Sequence, residues 1–380
     1  MIKDEFEGTL IFVVQTLYKN VIRVLQYFVI MRLILNGKET SLQEHESGKI
    51  KEKYHSDFEN RVIEIINNWN AGHESFQFKT SGSTGTQSTF TLSRSIIEYS
   101  AKCTLTRLDP ECNFQSSLVC INPFYIGGTM AVIRALIGHH DIEFVNPCAN
   151  PLSVAHGAQY DLVSMVPLQV QTILENNANL FARVKNVIIG GAAMNEKIIK
   201  HIASQKSVQF YHSYGMTETA SHFALQNLAS EDHYTTLGDV KIKQTNVGCL
   251  SVCGTVTNHK WITTTDIVDI LDQNQFKWVG RADNVINSGG VKISPERLER
   301  KLESQIGLPF FIAGVPDNRL GFKTVLLVES NKPFNMDTLD FSVMDRYSVP
   351  KSCYTLHSFS YTETGKINRN KTIKQLQIES

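Results

Sequence analysis

The sequence predicts an α/β protein: a large N-terminal region in which βαβ units build mostly parallel sheets, followed by a small α+β region at the C-terminus. Two observations predict it. Between about Ser117 and Gly215, short apolar runs alternate with amphipathic stretches, the pattern of strands buried on both faces of a parallel sheet and linked by helices. After about Trp278 that alternation gives way to a glycine- and asparagine-rich stretch, GRADNVINSGG, and a shorter series of strand and helix signals follows. A chain of 380 residues has room for two or three domains at roughly 150 residues each.

Taken in order, the first thirty residues include the apolar stretch GTLIFVVQTLYKNVIRVLQYFVI. Lys19, Arg23 and Gln26 interrupt it and the preceding MIKDEFEG is acidic, which argues against a spanning helix and against a signal peptide. Residues 1–30 are read as an extension ahead of a start at Met31, with an interfacial amphipathic helix as the other reading. MRLILNGKET, from Met31, has the pattern of a first strand and turn. The βαβ run follows: SLVCIN into TMAVIRALIG, DLVSMV into PLQVQTILEN, NVIIGG into NEKIIKHIAS and then VQFYHSYG. A boundary near residues 281–283 divides a larger region, 31–281, from a smaller one, 282–380. In the latter, Ser294 is placed as the N-cap of a helix with Pro295 in its first turn and Glu296 behind it.

Composition narrows the partners. Lys plus Arg and Asp plus Glu are each 37, so no basic surplus proposes nucleic acid, and small molecules become the expected partners. The seven cysteines are scattered, odd in number and without a CxxC pair, and are read as reduced, buried and intracellular, hence a cytoplasmic protein. No stable membrane insertion is expected, and a homodimer is compatible with everything in the sequence.

KTSGSTGTQS, residues 79–88, lies between alternating runs and is expected to join two strands. It lacks the Gly-Lys-Ser/Thr of a nucleotide-triphosphatase P-loop. Gly82 and Gly85 would let backbone amides turn inward, and Thr80, Ser81, Ser83, Thr84 and Thr86 add hydroxyls, a combination suited to an anion. A plain Ser/Gly hairpin is the alternative.

Three further segments occur after that loop: YGMTETASH (214–222), GRADNVINSGGVKISPE (280–296) and TETGKINR (362–369). Together the four, in this order, resemble the adenylate-forming superfamily of acyl-CoA synthetases, luciferases and peptide-synthetase adenylation domains, over roughly residues 75–371. The resemblance implies a mechanism in which a carboxylic acid is joined to the α-phosphate of ATP, with Mg²⁺, and then transferred to the thiol of CoA. It implies that Tyr214, with Gly215 beside it, stacks on adenine, that Thr217 contacts phosphate and that Glu218 holds Mg²⁺ with it. Asp266 in TTTDIV would accept the ribose hydroxyls and Arg281 would be a second ribose contact, with Asp283 at the hinge between an AMP-binding adenylation domain, 31–281, and a mobile C-terminal domain, 282–380. Gly190 and Gly191 would line the adenine and acyl pocket, or serve only as a strand-to-helix turn. Lys366 would be the catalytic lysine, bridging carboxylate and phosphate oxygens. Ser288, Gly289, Gly290 and Val291 would line the pantetheine tunnel, with close backbone approach explaining the paired glycines.

The same resemblance places Tyr125 of PFYIGG over the acyl pocket, where many members carry histidine. Arg134 follows in an apolar run, so it either lies on a helix surface or is buried against an anion such as a second substrate carboxylate. Ala220 and Ser221 would leave room for an aromatic acid. The loop departs from the family in carrying Ser88 where relatives usually carry lysine. SYGMTETASH, MVPLQV and DNVINSGGVKI resemble most the o-succinylbenzoate:CoA ligases of menaquinone biosynthesis, which makes o-succinylbenzoate the expected acid. The alternatives are another aryl or acyl acid, or a non-catalytic adenylate-binding relative.

Overall fold

The computed structural model describes residues 31–41, 56–79, 89–194, 196–342, 344–362 and 367–376. The N-terminal extension, the loop residues Thr80 to Ser88 and Lys366 lie outside them. Strands β1 (Arg32–Leu35) and β2 (Lys38–Ser41) form a hairpin turned by Asn36 and Gly37, both at positive φ. MRLILNGKET is therefore the strand and turn its pattern implied. Helix α1 (Asp57–Asn70) starts at a capping box in which Ser56 and Glu59 exchange hydrogen bonds, and it buries Val62, Ile65, Ile66 and Trp69. Strands β3 (Ser75–Lys79) and β4 (Thr89–Ser93) pair antiparallel, so residues 80–88 do join two strands.

Helix α2 (Arg94–Leu108) leads into the alternating run: β5 (Ser116–Val119), α3 (Ile126–Gly138), β6 (Asp141–Phe144), β7 (Tyr160–Met165), α4 (Pro167–Asn177), β8 (Val184–Ile189), α5 (Glu196–Ala203) and β9 (Gln209–Met216). Strands β9, β8, β7, β5, β6 and β1 are hydrogen-bonded in that order, all parallel. Every residue of β7 is buried, which is why its sequence reads as an unbroken run. An antiparallel half then extends the sheet: β10 (Ser221–Asn227), β11 (Tyr234–Thr236), β12 (Lys241–Gln244), β13 (Cys249–Cys253), β14 (Ile262–Asp272) and β15 (Gln275–Arg281). The result is one mixed sheet of 13 strands in the order β12-β13-β14-β15-β11-β10-β9-β8-β7-β5-β6-β1-β2. The α/β class is as predicted, but the expectation of mostly parallel sheets is corrected: five pairings, from β9 to β1, are parallel and seven are antiparallel, because the strands after β9 are joined by short connections without crossover helices.

A second sheet contains β16 (Ile286–Ser288), β17 (Val291–Ile293), β18 (Phe310–Asp317), β19 (Gly321–Glu329) and β20 (Ser352–Leu356). Helix α6 (Pro295–Leu302) packs on β18 and also on β15 of the large sheet, and α7 (Arg369–Ile373) lies against β18. Three expectations need correction here. GRADNVINSGG is not bare connector, because residues 286–288 form a strand. Ser294 occupies the N-cap position, but its hydroxyl makes no capping bond and is buried without a partner, since it faces the backbone of Gly280. Only Cys120 and Cys249 of the seven cysteines are buried; Cys112 and Cys148 are exposed, on irregular segments outside the apolar strands. No helix among the described residues is long and apolar enough to cross a membrane.

Candidate active site

The site builds outward from the β9–β10 hairpin, the seam between the parallel and antiparallel halves. Its tip is the single turn Thr217–Thr219, where Thr217 and Glu218 are half-buried and Thr219 Oγ1 accepts from Met216 N–H at 3.1 Å. Ala220 and Ser221 follow at φ +51° and +81°, an uncommon pair for residues with side chains. Ser100 of α2 holds this segment by donating its hydroxyl to Ala220 O at 2.9 Å. Gly215 pairs with His222 across the hairpin; a Cβ there would lie 2.0 Å from Ser221 O, so backbone crossing demands glycine.

Tyr214 projects from β9 into an aromatic cluster, edge-on to Phe223 (5.5 Å) and Phe276 (5.2 Å) and tilted against Tyr234. Its hydroxyl donates to Asp266 Oδ2 at 2.6 Å, while Trp278 Nε1 donates to Asp266 Oδ1 at 3.0 Å. Burial, then the Asp266 carboxylate, push the Tyr214 phenol far above its ordinary range, so it stays a donor. Asp266 on β14 pairs in register with Arg281 on β15. Arg281 forms a two-pronged ion pair with Asp283, at 2.9 and 2.6 Å, and stands 3.9 Å from Asp266. That hydrogen bonding raises the Arg281 pKa and lowers that of Asp283. The three residues named from sequence for ribose and hinge thus form one charged chain.

Gly190 and Gly191 leave β8 beside this cluster. Gly191 sits at φ +92°, and a Cβ on Gly190 would meet Ser213 Oγ at 2.6 Å. The next residue is anchored by a group that sequence reasoning missed. His212 Nε2 lies 3.0 Å from Ala192 O, which only accepts, so Nε2 carries the proton and Nδ1 accepts from Tyr234 O–H at 2.7 Å. Burial lowers the His212 pKa and keeps the ring neutral.

Arg134 lies on α3, a helix buried from Gly128 to Leu136, and is itself only 2% exposed. Of the two readings open in sequence, the structure places it inside. Nη2 donates to Ser164 Oγ at 3.3 Å, but Nε and Nη1 are buried with no partner. Burial alone lowers its pKa to about 10, so it remains charged at neutral pH. Each large apolar neighbour on α3, such as Met130, Ile133 or Leu136, contributes about 2 kcal/mol on burial, enough together to offset the several kcal/mol of sequestering one charge. His222, whose Nε2 meets Thr104 Oγ1 at 2.9 Å, has its pKa held well below the ordinary value by burial first and the Arg134 charge second. Arg134 therefore lies near the strand that Ala220 and Ser221 open. Tyr125 is the N-cap residue of α3, half-buried. Gly128 behind it has no room for a Cβ, which would lie 2.2 Å from Asn122 O.

Ser288, Gly289 and Gly290 belong to the second sheet. The glycines turn the β16–β17 hairpin at φ +58° and +87°, as two-residue hairpin turns require. A Cβ on Gly290 would meet nothing within 4 Å and one on Gly289 would come 3.1 Å from Leu320 Cδ2, so the left-handed backbone is what calls for glycine at Gly290. Among the described residues no group of three or more His, Cys, Asp or Glu could hold a metal ion by itself. Trp278 is the other residue missed. A tryptophan three positions ahead of Arg281, in a strand that pairs with TTTDIV, was the available signal.

A family model described as AMP-binding enzyme matches residues 37–252. The chain belongs to the AMP-binding enzyme family. A 2-succinylbenzoate–CoA ligase from Staphylococcus epidermidis is 26% identical over 279 residues, covering 65% of this chain and 59% of that protein. The corresponding ligase from Listeria monocytogenes is 24% identical over 343 residues, covering 81% and 71%. This family member thus spans about three-fifths of the length of the first of these curated relatives. Among solved structures, an acyl-CoA synthetase (AMP-forming)/AMP-acid ligase II-like protein from Dyadobacter fermentans is 34% identical with a TM-score of 0.58, covering 87% of this chain and 97% of that one. An o-succinylbenzoate coenzyme A synthetase from Bacillus subtilis, solved with ATP and a magnesium ion, shares the fold at a TM-score of 0.68 and 19% identity, covering 78% and 69%.

Proposed function

We propose that this AMP-binding family member is an AMP-forming acid:CoA ligase that activates o-succinylbenzoate. The observation that carries the choice of acid is Arg134, a charged guanidinium buried beside Ser164 and His222 with two nitrogens unpartnered. An aromatic acid with a second carboxylate supplies the missing anion, whereas benzoate or a fatty acid leaves the charge uncompensated. The names of the curated relatives support the same acid.

In the first step a carboxylate oxygen of the acid attacks the α-phosphorus of ATP and pyrophosphate leaves. In the second the CoA thiol attacks the acyl carbonyl and AMP leaves. Asp266 and Arg281 hold the ribose, Tyr214 and Gly215 with Gly190 and Gly191 bound the adenine, and the Thr80 to Gly85 segment clasps the outer phosphates. Lys366 offsets the negative charge shared by carboxylate and phosphate as they approach. Thr217 and Glu218 would hold Mg²⁺, which would supply charge screening for the phosphates when bound. Residues 282–380 move as a unit about Asp283, bringing Ser288, Gly289 and Gly290 toward the pantetheine arm, while Tyr125 borders the acyl pocket. The reading is of a cytoplasmic enzyme whose partners are small molecules.

The test is release of pyrophosphate and formation of thioester by the full chain with ATP, magnesium, CoA and one acid at a time. Turnover with o-succinylbenzoate at least a hundredfold above benzoate and fatty acids is expected. Equal turnover of monocarboxylic acids would remove the role given to Arg134, and no pyrophosphate with any acid would remove the ligase reading.

A further inference from the structure

We propose that Trp278 is a positioning residue that couples the ribose carboxylate of Asp266 to the seating of helix α6, and so makes nucleotide affinity depend on where the second sheet sits. The proposal rests on the ribose reading of Asp266. Trp278 is held at both ends. Its indole Nε1 donates to Asp266 Oδ1 at 3.0 Å, and with the Tyr214 hydroxyl on Oδ2 this fixes the carboxylate in one orientation. The two oxygens offer about four acceptor positions, so two donors leave one per oxygen for a pair of ribose hydroxyls. The main chain of Trp278 is gripped from the other side: Arg300 of α6 donates through Nη1 to Trp278 O at 3.1 Å and through Nη2 to Val279 O at 2.8 Å. The same guanidinium stands 5.8 Å from the indole ring centroid.

This seat is built so that it can be left. Gly280 follows the gripped carbonyls, and Ser294 Oγ and a Glu296 oxygen press against it so closely that a Cβ there would lie 2.7 Å from each. Ser294 Oγ and Glu296 Oε2 are buried without partners in this arrangement, which favours their return to water. Arg300 opposes that departure. The seated arrangement therefore holds Trp278, which holds Asp266, and by linkage a nucleotide on Asp266 favours the seat to the same extent.

Titration calorimetry of AMP into the full chain tests it. Trp278→Phe keeps an aromatic ring and removes the N–H; AMP should bind about tenfold more weakly, the loss of one hydrogen bond to a charged group. Arg300→Met should weaken AMP several-fold, and the double variant should be no weaker than Trp278→Phe alone, because both changes break one chain. Should Arg300→Met fail to fold, Arg300→Lys keeps the charge without the planar fork and should show part of the loss. Unchanged AMP affinity in Trp278→Phe, or effects of the two changes that multiply, would overturn the coupling. Asp266→Ala separates the two readings: it should nearly abolish AMP binding. If it does so while Trp278→Phe binds normally, only the coupling fails; if Asp266→Ala binds AMP normally, the ribose reading fails and the coupling with it.

Discussion

The molecule contains two half-hidden polar clusters that differ in one respect. Around Asp266 both carboxylate oxygens already hold a donor and the neighbouring cations are bonded within the chain: Tyr214 and Trp278 on the carboxylate, Arg281 on Asp283, Arg300 on the strand carbonyls. Around Arg134 the set is incomplete, with one contact to Ser164 and two nitrogens left over. The first arrangement is rigid before anything binds, as suits a subsite for a constant group such as the nucleotide. The second, on the proposed reading, would be finished by the bound acid, as suits the group that varies from one acid to another. Unpaired buried charge lowers stability, so the incomplete cluster marks a place where structure is held for recognition.

That contrast can be broken by substitution. Arg134→Met removes the charge and keeps a chain of similar length. Activity with a dicarboxylic aromatic acid should fall on the order of a hundredfold or more. The apo chain should melt several degrees higher in scanning calorimetry, since an uncompensated buried charge has gone; a lower melting temperature with activity retained would show Arg134 to be structural. Tyr214→Phe acts on the complete cluster and has the opposite sign for stability. It leaves Asp266 Oδ2 short of a donor, so the melting temperature should drop slightly and AMP should bind several-fold more weakly by calorimetry; tighter binding would mean that the hydroxyl competes with ribose.

The smallest effect is on pH dependence. His222 and His140 are buried and neutral, the latter with Nδ1 against Ser117 Oγ and its pKa lowered from 6.5 to about 4, chiefly by burial. Their folded pKa values lie below the unfolded one, so the unfolded chain binds more protons in between. The stability these histidines contribute is present above pH 6.5 and is lost as pH falls toward 4. Denaturant melts between pH 7 and 5 should show that decline. Because the Arg134 charge helps depress His222, the decline should be shallower in Arg134→Met, and an unchanged slope would separate the two residues.

Much of this was legible in the sequence, and the remainder has a physical reason for being hidden. The runs ending in Met165 and Ile189 announce themselves because their strands are buried on both faces. The Tyr214 and Asp266 motifs carry the adenine and ribose reading, and the structure brings those two side chains together. Strands β10 to β15 are harder to read, since much of β14 is only half-buried and its pattern is diluted by polar residues. Trp278 could not be assigned to Asp266 by alternation. The β14–β15 ladder slips between Ile267 and Val268, so Ile267 faces Gly280 while Val268 faces Trp278. Such a bulge re-aims the side chains beyond it. Arg134 stayed open between surface and core because burial of a helix on all sides depends on α1 and α2, which come from elsewhere in the chain.

The seam at β9 has a consequence for timing. On one side β9 meets β10 through a four-residue connection, Thr217 to Ala220; on the other it meets β8, parallel, across the α5 crossover. Hairpins close in microseconds, while parallel neighbours wait for longer loops to come together. Tyr214 and Gly215 sit on the strand shared by these two kinds of pairing. Tyr214 and Gly215 pair with β10 alone, whereas Gln209 to His212 pair with β8, so the first half of β9 should complete its amide protection later in refolding than the half that carries Tyr214. An equilibrium structure records only the finished joint.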